Sequence, residues 1–351
     1  MTLFEALYKP MCGVVQAYVK LELMSNLTFP ILQLLADGQF HSGEVLAQRF
    51  KVTRATIWNA IQHAESLGVE VFSVRGRGYK LPQAIELLDK NLVLAAIGEQ
   101  RAWFNLQILD EVASTNTYLM QQKGAAHATC LAAHIQSKGK GRRGRAWVSQ
   151  LGASLTFSLL WRFQCGAAAL SGLSLAVGVA LMRALISLNV NHAQLKWPND
   201  VLIKGKKLAG ILIELQGDLE GPNAAVIGVG VNLNLPKNVA DSIDQPAIDL
   251  TSESAHDINQ SELLGMILKH LADVLSSFEM QGFIGLRDEW LSYHAYENKP
   301  VRMLLPNGTD VHGIVKGVAD DGILLVETSL GLQRFSAGEI SLRTPILREF
   351  E

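Results

Sequence analysis

The sequence predicts an α+β multidomain protein with three parts: an N-terminal winged helix-turn-helix, a central mixed sheet with helices, and a small C-terminal β-barrel. Three observations carry this. Helical periodicity followed by a basic hairpin occupies residues 26–82, strand and helix patterns alternate from 106 to 281, and short apolar segments separated by turn signals fill the tail. The chain has 351 residues, 48% hydrophobic and 18% charged. That length exceeds one ordinary domain, and the composition describes globular cores rather than disorder.

The boundaries predicted are an extension at 1–25, a DNA-binding domain at 26–84, a central domain at 85–295 and a tail domain at 296–351. The extension lacks the charge, apolar and small-residue order of a cleaved signal, and Met24 offers an alternative start. In "FPILQLLADG" Ile31, Leu34 and Leu35 recur at helical spacing until Gly38. Ser42 is placed to cap a second helix with Val45, Leu46 and Phe50 inward, and Thr53 a third with Ile57, Ile61, Ala64 and Leu67 on one face and Gly68 as its exit. "VEVFSV", "RGRG" and "YKL" then make a hairpin that Pro82 ends. In such a motif the second helix of the turn presents polar side chains to base edges and the wing reaches phosphate. The candidates off the apolar stripe are Arg54, Thr56, Asn59 and His63, with Arg75 and Arg77 at the wing tip; the alternative is a small three-helix interaction module with a solvated charged hairpin.

Residues 83–100 read as a linker helix. Strands are predicted at "LQILDEV", "TCLAAHIQ", "SLTFSLLWR", "QLKWPNDVLI", "KKLAGILIELQG" and "AAVIGVGVNLNLP", with a short capped helix at "TNTYLMQQKG" and a long one over about 259–281. The run "AAALSGLSLAVGVALMRALISL", 167–188, nearly matches a membrane span, but Arg183 interrupts it and strands follow, so it reads as a helix buried against the sheet. No membrane association is expected. The tail, with turns at Asn307-Gly308, Asp321-Gly322 and Gly331, reads as a small, SH3-like β-barrel.

A formal net charge of -2 argues against bulk electrostatic coating of nucleic acid, so anion binding is local. Its locus is "QSKGKGRRGRAWVS", 136–149, where five cations alternate with three glycines between Lys138 and Arg145. Taken alone, this loop is either a solvated basic surface or a lid that grips an anion, since guanidinium forks match phosphate and carboxylate. It is no Walker A loop, because the order of glycine, lysine and hydroxyl is missing. Cys12, Cys130 and Cys165 are odd in number and widely spaced, and the nine histidines lack paired spacing. Neither a disulfide framework nor a zinc site is indicated, and a reducing cytoplasm is the expected location.

Four further segments, "ASTN" at 113–116, "KWPND" at 196–200, "KKLAGILIE" at 206–214 and "GVGVNLN" at 228–234, accompany the loop in a fixed order. Together these resemble the bifunctional biotin–protein ligases that double as biotin operon repressors, over about 26–345. The resemblance implies two half-reactions, formation of biotinyl-5'-AMP from biotin and ATP with Mg²⁺, then transfer to a lysine of the biotin carboxyl carrier protein of acetyl-CoA carboxylase. It also implies a homodimer, when loaded with biotinyl-5'-AMP, on biotin operator DNA.

By the same resemblance Ser114, Thr115, Asn116, Gln136, Gly139, Lys140, Arg142, Lys207 and Gly210 would hold biotin. Arg143, Arg145, Trp147, Asn199, Asn232 and Arg343 would hold the nucleotide. Lys207, Arg142 and Asp200 would carry catalysis, with Asp200 on the metal. The family loop usually reads G-R-G-R-R-G-R, and Lys140 here replaces its first arginine, which keeps charge but not the bidentate fork. Competing readings are a ligase with a vestigial DNA-binding domain, a repressor that has lost catalysis, and a lipoate or octanoate ligase.

Overall fold

The computed structural model describes residues 27–82, 85–217, 221–243, 245–254, 257–305, 309–336 and 341–343. The extension expected at 1–25, with Met24 and Cys12, lies outside them. The chain divides into two compact units, one ending at Leu87 and including Gln150–Gly152, the other made of Leu88–Ser149 and the residues from Ala153 onward.

In the first unit α1 (27–35), α2 (Gly43–Phe50) and α3 (Arg54–Ser66) precede a hairpin of β1 (Phe72–Val74) and β2 (Gly78–Lys80), paired with Phe72 opposite Lys80. The caps are the expected hydroxyls. Ser42 accepts from the Val45 amide at 3.1 Å and Thr53 from the Thr56 amide at 3.2 Å. Ile31, Leu35, Leu46, Ile57, Ile61 and Leu81 form the core. Val45, expected inward, is 54% exposed, because Leu46 and Ala47 take the buried side of this short helix. Tyr79 pairs with His41, and a Cβ on Gly78 would collide with the His41 carbonyl, so the wing can dock there only with glycine.

The second unit begins with α4 (Lys90–Ile97). The helix expected over 83–100 starts late, where Asp89 accepts from the Asn91 and Leu92 amides, and stops at Gly98, whose φ of 76° is left-handed. There follow β3 (Asn105–Val112), α5 (Thr115–Gln121), β4 (Thr129–Gln136), β5 (Ser154–Phe163), α6 (Leu173–Ser187), β6 (Ala193–Lys196), β7 (Asp200–Ile203), β8 (Lys206–Gly217) and β9 (Asn223–Asn232). Then come α7 (Lys237–Ser242), α8 (Gln260–Gln281) and α9 (Arg287–Ser292). The seven strands form one mixed sheet, in the order β3-β4-β5-β9-β8-β7-β6, parallel only between β3 and β4.

Two sequence expectations change in detail. "QLKWPNDVLI" is not one strand but the hairpin β6–β7, turning at the cis Trp197–Pro198 bond. The apolar run at 167–188 is a helix only from Leu173, since Gly172 (φ 80°) separates it from a short 3₁₀ turn at Ala167–Leu170. That run is long and apolar enough to cross a membrane, yet eleven residues of α6 are buried within the protein's own core.

Alternation along the strands divides the sheet. Leu155, Phe157, Leu159 and Trp161 of β5 and Ala225, Ile227, Val229 and Val231 of β9 join the large core built with α4, α6 and α8. Leu160 and Val226, of opposite parity, meet Leu119 of α5. The positions in step with these two are small or polar: Thr156 and Ser158 on β5, Gly228, Gly230 and Asn232 on β9.

The tail forms β10 (Pro300–Leu304), β11 (Asp310–Val318), β12 (Leu324–Thr328), β13 (Gly331–Phe335) and β14 (Ser341–Arg343), an antiparallel sheet in the order β13-β12-β11-β10-β14. Among the described residues no pairing joins β13 to β14 to close the expected barrel. Val301, Met303, Val315, Leu324 and Val326 share one core with the central sheet. The Trp197 indole donates to the Gly322 carbonyl at 3.1 Å, tying the β6–β7 turn to this tail sheet.

Candidate functional site

The start of α5 sits against the polar side of the sheet. Ser114 caps the helix by accepting from the Thr117 amide. The Thr115 amide and hydroxyl both donate to Gln136 Oε1, at 2.7 and 3.1 Å. Ser158 Oγ lies 2.7 Å from Thr115 Oγ1 and 2.6 Å from Asn116 Oδ1. Asn116 Nδ2 donates to Glu214 Oε2 at 2.8 Å and to the Leu212 carbonyl at 3.2 Å. Space for this is made by Gly228, where a Cβ would collide with the Asn116 amide. Burial makes each of these hydrogen bonds costly to leave unmade.

The cationic loop closes over the neighbouring strands as a tight hairpin. The Trp147 amide donates to the Gly139 carbonyl at 2.9 Å, the Gly141 amide to Arg145 at 2.7 Å, and Lys140 bridges Ala146. Arg142–Gly144 form one 3₁₀ turn in which Arg143 is left-handed, with φ 57°. The Trp147 ring lies against Gly210 and Gly230, and a Cβ at Gly230 would enter it. Small residues on two adjacent strands therefore seat one indole.

Charge gathers at the end of this cleft. Lys207 Nζ lies 2.7 Å from Asp200 Oδ1, an ion contact without hydrogen-bond alignment, with both side chains mostly buried. The ammonium also stands 5.9 Å from the centre of the Trp147 ring. Arg142 Nη1 donates to Asn199 Oδ1 at 3.1 Å, and Asn199 Nδ2 to the Ile211 carbonyl at 2.9 Å. Burial, reinforced by Arg143 and opposed by Asp200, lowers the Arg142 guanidinium from its ordinary value. Two cations thus converge on a partly desolvated cleft, where a carboxylate and a phosphate would otherwise repel one another.

Of the residues singled out from sequence, Ser114, Thr115, Asn116, Gln136, Lys140, Arg142, Trp147, Asn199, Lys207 and Gly210 line this single cleft. Asp200 stands behind Lys207. Gly139 supports Trp147, while Arg143 and Arg145 are exposed on the loop. Asn232 is spoken for, since its amide donates to the Lys207 and Ile248 carbonyls at 3.1 and 3.0 Å and so anchors the lysine's strand. Arg343 pairs through its backbone with Arg302, and its side chain lies outside what is described. Ser158, Leu212, Glu214 and Gly228 were not singled out. Only the alternating glycines of "GVGVN" hinted that something presses on that face.

In the winged unit Arg54, Arg75 and Arg77 are exposed, and the Arg77 guanidinium stacks 4.6 Å from the Phe40 ring. Asn59 is half-buried on α3. Thr56 and Thr53 pair their hydroxyls at 2.9 Å, and His63 Nδ1 lies 3.0 Å from Thr28 Oγ1, turned toward α1. Trp58, absent from the sequence candidates, stands 53% exposed on the same helix.

Family models match three segments: the biotin/lipoate A/B protein ligase family over 109–232, an HTH domain over 28–80, and the biotin protein ligase C-terminal domain over 298–343. The bifunctional ligase/repressor BirA of Salmonella typhimurium is 36% identical over 325 residues, covering 92% of this chain and 99% of that protein. The biotin--[acetyl-CoA-carboxylase] ligase of Paracoccus denitrificans is 33% identical over 234 residues, 65% of this chain and 96% of that one. The biotin protein ligase of Aquifex aeolicus, solved in complex with biotin and ATP, aligns with a TM-score of 0.60 at 31% identity, covering 69% of this chain and 99% of that one. With its cleft, its winged unit and its tail sheet each matched in order, the chain belongs to the family of bifunctional biotin ligase/repressors.

Proposed function

We propose that this protein is an ATP-dependent biotin–protein ligase and a biotin-responsive repressor of biotin synthesis genes. The observation that carries the ligase reading is the convergence of Lys207, held by Asp200, and Arg142, held by Asn199, on a cleft whose other end is a polar network around Thr115 and Asn116. Biotin's carboxylate oxygen attacks the α-phosphorus of ATP, the bond to pyrophosphate breaks, and biotinyl-5'-AMP forms. A lysine amine of the biotin carboxyl carrier protein of acetyl-CoA carboxylase then attacks the acyl carbon; AMP departs, the amine loses a proton, and an amide remains. Neither step needs an enzyme nucleophile. Lys207 and Arg142 reduce repulsion between the anions, and the loop shelters the anhydride from water.

Among the described residues no cluster of three His, Cys, Asp or Glu could cage a metal. Asp200 alone suits Mg²⁺ that arrives on ATP phosphates, because Mg²⁺ keeps waters and takes few protein carboxylates. When bound it would neutralise triphosphate charge. The exposed arginines of the winged unit support operator binding by a homodimer loaded with biotinyl-5'-AMP, the tail sheet is read as SH3-like, and the setting as cytoplasmic.

Labelled biotin, ATP, Mg²⁺ and apo carrier protein test the ligase: label on the carrier is expected, and its absence, or equal transfer of lipoate or octanoate, overturns the reading. Sedimentation and DNA mobility with and without biotin and ATP test the repressor. Arg75→Ala and Arg77→Ala should weaken DNA binding but not biotin transfer, and the deficit should shrink at high salt. No ligand-dependent dimer and no DNA shift would leave a ligase with a vestigial DNA-binding domain.

A further inference from the structure

We propose that Glu214, which does not line the cleft, is a positioning residue for the ligand's polar ring, a role that rests on reading this cleft as the biotin site. The row Ser158–Gly228–Leu212 runs straight across β5, β9 and β8. Over the bare Gly228 the Asn116 amide lies crosswise, its oxygen toward β5 and its nitrogen toward β8. Both hydrogens of Nδ2 are taken, one by the neutral Leu212 carbonyl and one by the Glu214 carboxylate. The second bond is shorter and charge-assisted, so Glu214 is the stronger of the two anchors. Turned the other way, the Asn116 oxygen would face a carboxylate and a carbonyl with no proton between them.

Fixing this amide fixes the direction of its bond to Ser158. Asn116 Oδ1 can only accept, so the 2.6 Å contact takes Ser158's single proton. Ser158 then has no proton for its 2.7 Å contact with Thr115, and the single Thr115 hydroxyl proton serves either Ser158 or Gln136 Oε1. Three contacts join Gln136, Thr115, Ser158 and Asn116 through hydroxyls, and two hydroxyl protons serve them. When a ligand N–H approaches Gln136, the Thr115 proton can turn from Gln136 to Ser158, and Gln136 Oε1 then keeps only the Thr115 amide. Gln136 lines the cleft, so its oxygen has acceptor capacity for an N–H of a cyclic urea. Glu214 acts through Asn116 and touches no reacting atom.

The test is calorimetric titration of biotin, and separately of ATP, into the full-length chain and its variants. Glu214→Ala should weaken biotin about tenfold, the scale of losing one charge-assisted hydrogen bond in a buried network. It should leave ATP affinity and the rate of pyrophosphate exchange at saturating biotin unchanged, with an unaltered urea midpoint. Glu214→Gln, whose amide oxygen can accept the same N–H, should recover most of the affinity. In an Asn116→Ala background, Glu214→Ala should add no further loss. Wild-type affinity in Glu214→Ala, a Gln variant as weak as the Ala variant, or an added loss without Asn116 would overturn the inference. Failure of the wild-type chain to bind biotin would instead overturn the reading of the cleft.

Discussion

The two faces of the central sheet come from the same strands yet obey opposite rules. On one, Phe157, Leu159, Ile227 and Val229 are packed against helices and at most 3% exposed. On the other, at the intervening positions, Thr156, Ser158, Gly228 and Gly230 keep volume low so that Asn116 and Trp147 can lie on the sheet. A strand's two-residue period separates a face that supplies the core from a face that lines the cleft. The difference teaches that glycine on the second face is a demand of geometry, whereas bulk on the first is a demand of packing.

Substitutions can break this comparison in either direction. The largest effect is expected at the charged end of the cleft face: Lys207→Ala should cut biotin-dependent ATP–pyrophosphate exchange by roughly 100- to 1,000-fold, the scale of one lost preorganised contact in the transition state. Arg142→Ala should act more on biotin affinity, and titration alongside exchange separates the two. Next, Leu159→Ala on the helix face should cost about 2–4 kcal/mol of stability by urea denaturation, with biotin affinity nearly unchanged. Its counterpart, Gly228→Ala, should do the converse: a new Cβ displaces Asn116, and biotin affinity should fall roughly tenfold while the urea midpoint shifts less than for Leu159→Ala. If Gly228→Ala binds biotin normally, the division of labour between faces fails.

A pH dependence sharpens the apolar side. His294 stacks 4.5 Å from Trp290, and burial, with Lys299 nearby, pushes its ring down from 6.5 to about 3. The folded state therefore binds this proton less readily than the unfolded chain. The full stability contribution is present above pH 6.5 and is lost progressively as pH falls toward 3. The urea midpoint of the wild type should decline over that window, and His294→Gln should flatten the slope.

Much of this was legible where the determinants are local. Ser42 and Thr53 cap the helices they precede, the strands at 105–112 and 129–136 fall where "LQILDEV" and "TCLAAHIQ" place them, and the segments "ASTN", "KWPND" and "GKGRRGR" each carry their own turn. The late start of α4 was not legible, since an aspartate inside a helical pattern reads as a surface residue until its backbone bonds are seen. Nor was the partnership of Asn116 with Glu214, 98 positions apart, because it depends on the register of β8 on β9 and on the missing side chain between them. Ser158 was hidden for the same reason.

The bond from Trp197 to Gly322 has an evolutionary consequence. It joins the turn that presents Asn199 and Asp200 to a bend in the tail sheet, where Gly322 meets Gly172 so closely that neither bend admits a side chain at Gly322. The tail cannot be exchanged between relatives as an independent cassette. A chimera that inherits a bulkier residue at 322 must lift the tail away, and with it the carbonyl that holds the indole. Positions 172, 197 and 322 should therefore descend together, as one heritable joint rather than as three tolerant sites.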